Sequence, residues 1–81
     1  MILVDVQVLQ LGEVYDFELD EEKTVREVLS DVLALICKKE KLHCDLPEEY
    51  FLFARNRECI LWEEQSLKEQ GVRSGERLIL V

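Results

Sequence analysis

Cationic side chains are scarce in this chain. Ten Lys and Arg stand against eighteen Asp and Glu, for a formal net charge of −8. Binding to nucleic acid or to anionic lipid needs clustered Lys and Arg, so the balance argues against both as partners. Long hydrophobic runs are missing as well: no stretch approaches the roughly 20 apolar residues of a spanning helix, which excludes direct membrane insertion. Proline occurs once and glycine three times, and no linker, repeat or low-complexity segment is present. The start, Met1-Ile2-Leu3-Val4, is apolar at once with no basic segment before it; it reads as a first strand and not as a signal peptide. The three cysteines, Cys37, Cys44 and Cys59, have no C-x-x-C spacing. Reduced thiols in a cytoplasmic protein are therefore the expectation.

What remains is a folding composition, 81 residues of which 48% are hydrophobic and 35% charged. That is room for one domain, 1–81, which buries roughly 60–65% of the surface its unfolded chain exposes. Ile2, Val4, Val6 and Val8 alternate with Leu3, Asp5, Gln7 and Leu9, a period of two that predicts a strand. Gly12 marks a turn. Tyr15, Phe17 and Leu19 then alternate with Asp16 and Glu18, so the first two runs predict an antiparallel hairpin. Thr24-Val25-Arg26-Glu27 fits a capping box. Val25, Val28, Leu29, Val32, Leu35 and Ile36 follow at helical spacing, with Leu33 at the stripe's edge, and predict one helix over about 24–40. A loop with Pro47, a short aromatic strand from Tyr50 to Arg55, a polar turn, a short strand at Cys59-Ile60-Leu61 and a closing strand Arg77-Leu78-Ile79-Leu80-Val81 complete the order. The expected architecture is α+β, a mixed β-sheet of four to five strands with one helix across one face. The continuous apolar run of the last strand places it centrally, beside the first.

Catalytic and metal-binding patterns are weak. Cys37 and His43 could form a thiol–imidazole pair, but Cys37 falls beside the apolar stripe and nothing evident orients the single histidine. Cys37, His43, Cys44 and Cys59 are zinc-type ligands whose spacing fits no finger pattern. No Gly-rich loop follows a strand, so phosphate binding has no support. No catalytic, metal or cofactor site is expected, and the protein is read as a non-enzyme.

The order of elements resembles ubiquitin over nearly the whole chain, and the β-grasp fold is what the resemblance implies. Met1-Ile2 opens the first strand directly, Thr24-Val25 opens the helix, and Tyr50-Phe51-Leu52-Phe53-Ala54 resembles the third strand. The segment 66–81 carries the most specific likeness. It matches L-x-D-x-x-I-x-x-G-D-x-L-x-L through Leu67, Glu69 at the first acidic position, Val72, Gly75, Glu76 at the second, Leu78 and Leu80. That motif, the Tyr15-Asp16-Phe17 start of the second strand and an end at Val81 without a Gly-Gly tail are similar to the YukD/EsaB proteins that accompany type VII (ESX-type) secretion in Gram-positive bacteria. The resemblance implies a non-conjugated, cytoplasmic protein-interaction module serving that system. The alternatives are a modifier or sulfur carrier whose Gly-Gly tail lies outside this chain, and a ubiquitin-like cytosolic domain of a larger membrane protein.

Exposed apolar residues are the remaining candidate site. If Leu78 and Leu80 face the helix, Ile79 and Val81 face outward. Leu52 is expected beside them, with Phe51 and Phe53 pointing inward, and Leu3 and Leu9 extending the patch along the first strand. Such a sheet face suits a protein partner or a second copy of the chain. Trp62 is a further anchor candidate, and Arg55 and Arg57 could meet an acidic partner.

Overall fold

Alternation at period two becomes a hairpin in which β1 (Ile2–Val8) pairs antiparallel with β2 (Glu13–Leu19), Val4 opposite Phe17 and Val6 opposite Tyr15. Gly12 closes the turn at a φ of 67°, a conformation that costs glycine little. The computed structural model describes residues 1–41 and 50–81; the expected loop with Pro47, and the candidates His43 and Cys44, lie outside them.

The helix α1 (Val25–Glu40) begins at the capping box. The Thr24 side chain accepts from the Glu27 amide at 3.3 Å, and the Glu27 carboxylate accepts from the Thr24 amide at 3.1 Å. Two of the amides a helix start leaves unpaired are thereby satisfied. Lys41 ends the helix in a left-handed conformation, φ 56°. Val25, Val28, Leu29, Val32, Leu33 and Ile36 are buried. Leu35 corrects the expected stripe, being 55% exposed. It falls on the stripe's margin and lines a groove beside the edge strand β2, where no further strand among the described residues covers it.

Three short strands complete one five-stranded sheet of order β2-β1-β5-β3-β4: β3 (Leu52–Ala54), β4 (Cys59–Ile60) and β5 (Arg77–Leu80). β5 runs parallel to β1 and antiparallel to β3, so the sheet is mixed and the last strand is central, as its apolar run predicts. The core lies between α1 and the sheet, where Val4, Val6, Val8, Leu78 and Leu80 face the helix stripe.

Register corrects the expected position of Leu52. It pairs with Leu80, shares its face and is fully buried. Phe51 and Phe53 take the opposite parity; Phe51 is 43% exposed and Phe53 half-buried. Residues directly opposite each other in adjacent strands share a face, and Leu80 is already committed to the core. Ala54, paired with Leu78, fits the same inward row.

Candidate functional site

Five side chains from five strands form a row on the sheet face away from the helix. The register runs Val14 to Gln7, Gln7 to Ile79, Ile79 to Phe53, and Phe53 to Ile60. Four are apolar. Val14 is 45% and Ile60 52% exposed, while Ile79 and Phe53 are half-buried by their neighbours. Val81 and Phe51 continue the face, exchanging backbone hydrogen bonds of 2.9 and 2.8 Å. Leu9, exposed in the hairpin turn, follows the Val8–Leu80 pair at the same end of the sheet.

The five residues expected as one patch are therefore not one. Ile79, Val81 and Leu9 share an end of the face, and Leu52 lies in the core. Leu3 is outward and exposed, but sits four positions before Gln7 on β1, about 13 Å away at strand rise. A charged step separates them. Asp5 faces Asp16 across β1 and β2, and Arg77 lies beside Asp5, Nη2 to Oδ2 3.4 Å. The hydrogen bond from Asp16 and the Arg77 guanidinium hold the Asp5 carboxyl below its usual range, while the neighbouring Asp5 carboxylate raises that of Asp16.

Phe51, Phe53 and Ile60 are the members that sequence reasoning missed. The five residues from Tyr50 to Ala54 are apolar on both faces, so the period-two contrast is absent there. The signal available was the small Ala54, whose parity is that of Leu52.

Trp62 is 72% exposed, yet its backbone is held. Its amide donates to the Gln70 side-chain oxygen at 2.7 Å, and the Gln70 amide nitrogen donates back to its carbonyl at 2.9 Å. With Phe51 and Ile60 it lines a groove beside Arg26, Glu63 and Glu64. Arg57 is folded back onto the segment that precedes β5 instead. Its guanidinium donates to Glu76 and to the carbonyls of Gln70 and Gly71, a bracing role and not one of greeting a partner. Arg55 is exposed.

The acidic positions of the 66–81 motif also have structural work. Glu69 accepts from the Ser66 amide at 2.9 Å while Ser66 Oγ accepts from the Glu69 amide at 3.0 Å, closing one turn. Glu76, 8% exposed, accepts from the Arg73 amide at 2.5 Å and from Arg57. Burial pushes its carboxyl up, but these donors outweigh burial and hold it below the usual range. Leu67, Val72, Leu78 and Leu80 are buried. Of the described thiols, Cys59 is free and exposed. Among the described residues no helix is long and apolar enough to cross a membrane.

The family model described as WXG100 protein secretion system (Wss), protein YukD, matches residues 3–80. Among curated protein sequences nothing matches. Among solved structures the chain is similar to an N-terminal ubiquitin-like domain determined in solution, at 22% identity and a TM-score of 0.76, over 99% of this chain and 72% of that one. It is likewise similar to the ubiquitin-like domain of an Arabidopsis thaliana protein, at 15% identity and a TM-score of 0.76, over 99% and 74%. These likenesses show the ubiquitin-like fold.

Proposed function

The chain belongs to the YukD family of the WXG100 protein secretion system, and on that premise we propose that it is a protein-interaction module, a cytoplasmic accessory or regulatory component of a Gram-positive type VII (ESX-type) secretion apparatus. It carries out no chemistry of its own. The observation that carries this reading is the cross-sheet row of Ile79, Phe53 and Ile60, with Val81, Phe51 and Leu9 beside it, on the face α1 leaves uncovered. A contiguous apolar sheet face bounded by charge is the form a docking surface takes. Burying it returns roughly 25 cal/mol per Å² of apolar area, and the charged step at Asp5, Asp16 and Arg77 sets its limit.

The working surface is thus centred on Ile79 and Val81, with Phe53 in the position first expected for Leu52. Leu3 stands apart from it. A tagged chain expressed in a Gram-positive host should recover a secretion component, and Ile79→Asp or Phe53→Asp should lose that component while remaining folded. Recovery of no secretion component, or equal recovery by both variants, would overturn the reading. A chain that self-associates through Ile79 instead would identify a second copy as the occupant.

A further inference from the structure

A second apolar surface lies on the opposite side of the sheet, between β2 and the last turns of α1. It is an open groove of about 870 Å³ whose lining includes Phe17, Leu35 and Ile36, the cations Lys38 and Lys39, and the acids Asp16 and Glu18. β2 is the edge strand; it pairs with β1 on one side, and no other strand among those described pairs with it on the other. At seven residues it is much longer than the other edge, the two-residue β4. Alternate residues of an edge strand turn their amide and carbonyl away from the sheet, and an exposed edge of this length is a template for an added strand. The floor beside that edge is apolar. Leu35 is 55% exposed there, and Phe17 packs only partly into the core.

Charge selects the occupant. Five cations of the chain have carboxylate partners: Lys23 with Asp31, Arg26 with Glu63 and Glu64, Arg57 with Glu76, Lys68 with Glu22, and Arg77 with Asp5. Among the described residues Lys38, Lys39, Lys41, Arg55 and Arg73 have none, and of these only Lys38 and Lys39 line the groove. Glu40, next to Lys39 in sequence, accepts from the Tyr15 hydroxyl at 2.6 Å, and Lys39 lies over the Tyr15 ring, 5.0 Å from its centroid. The sheet-face side of β2 presents Asp16 and Glu18, paired in register with Asp5 and Leu3. A second copy adding through β2 would bring these acids near their own counterparts, which is unfavourable across strands.

We infer that β2 and the groove beside it bind an extended segment of another protein, added as a sixth strand, with apolar side chains at alternate positions over Phe17 and Leu35 and a carboxylate at Lys38 and Lys39. Its intervening residues, next to Asp16 and Glu18, are basic or hydroxylated. This site is separate from the face around Ile79 and stands or falls independently of it.

The test is an amide NMR titration of the full isotope-labelled chain with two synthetic peptides, Thr-Ile-Lys-Val-Thr-Ile-Asp-Asp and Asp-Asp-Ile-Thr-Val-Lys-Ile-Thr, which place the acidic pair at either end and so cover both strand directions. One of them should shift the amides of residues 14–18 and of Leu35, Lys38 and Lys39, and slow exchange along β2. Leu35→Asp, at an exposed position, and the double change Lys38→Glu with Lys39→Glu should each weaken binding by about tenfold. Phe53→Asp should leave it unchanged. Failure of both peptides to bind, shifts confined to the Ile79 face, or indifference to the Leu35 and lysine changes would overturn the proposal. So would a peptide-free chain that sediments as a dimer with its β2 amides protected.

Discussion

Arg57 and Glu76 join two turns that are far apart in sequence. Arg57 Nη2 lies 3.1 Å from Glu76 Oε2, and the same guanidinium donates to the carbonyls of Gln70 and Gly71. The turn between β3 and β4 is thereby fastened to the segment that leads into β5. Glu76 in turn accepts from the Arg73 amide, so its carboxylate sits between two donors. Removing it leaves a guanidinium and an amide short of a partner. Glu76→Gln should destabilise the fold by about 1–3 kcal/mol at neutral pH in urea unfolding. The folded-state carboxyl is held low, so its contribution is present above the unfolded value near 4.5 and is lost as pH falls through the lower folded value. The gap between wild type and variant should therefore narrow on acidification.

Gly71 has a φ of 75°, and a Cβ there would stand 3.0 Å from Arg57 Nη1. Gly12 has a φ of 67° with nothing within 4 Å of a Cβ. Gly12→Ala should cost about 1 kcal/mol, the conformational penalty alone. Gly71→Ala should cost more, because Arg57 must also shift. Parallel thermal unfolding of the two variants, and of each combined with Arg57→Ala, checks this: the excess should vanish without Arg57.

Leu52 and Phe53 are neighbours with opposite roles. Leu52→Ala should cost about 2–5 kcal/mol, as a buried leucine truncated against Leu80. Phe53→Ala should cost less, since Phe53 lies on the uncovered face. Equal losses in denaturant titration would contradict the register. Val28→Asp should unfold the domain outright by placing an unpaired charge in a site that is 1% exposed.

Asp16 is opposite Asp5, and that neighbour raises its carboxyl. A folded-state value above the unfolded one contributes stability that is complete below the unfolded value and lost as pH rises through the folded one. Asp16→Asn should accordingly stabilise the protein at neutral pH, and the advantage should fade towards acid, where wild-type Asp16 is protonated. Thermal unfolding across the range from pH 3 to pH 7, roughly the span of carboxylate titration, reads the sign. A variant less stable than wild type at neutral pH would contradict the account.

Tyr15 donates to Glu40, and this hydrogen bond, with burial and the nearby acids, pushes its phenol up to about 12. Glu40→Gln removes the charge that opposes ionisation. Absorbance titration should show a late phenol in wild type that moves back towards 10.0 in the variant.

Much of this protein was legible because the deciding forces are local. Residues 2–8 and 13–19 contrast apolar with polar at period two, so strand and face follow from the chain itself. The Thr24–Glu27 capping box satisfies its own amides within four residues, so the start of α1 needs no partner to define it. The central place of β5 was legible from its unbroken apolar run.

Tertiary structure decided the rest where the chain offered no such contrast. Tyr50 to Ala54 is apolar on both faces, and only pairing with Leu80 turned Leu52 inward and left Phe53 and Phe51 outside. Leu33 and Leu35 flank the same helical stripe, and the limit of the sheet at β2 buried one and exposed the other. Arg57 looked like a solvated turn residue until folding brought Glu76 to it across nineteen positions. In each case the side chain's own chemistry permits either outcome. The choice belongs to a neighbour remote in sequence, which only the folded chain supplies.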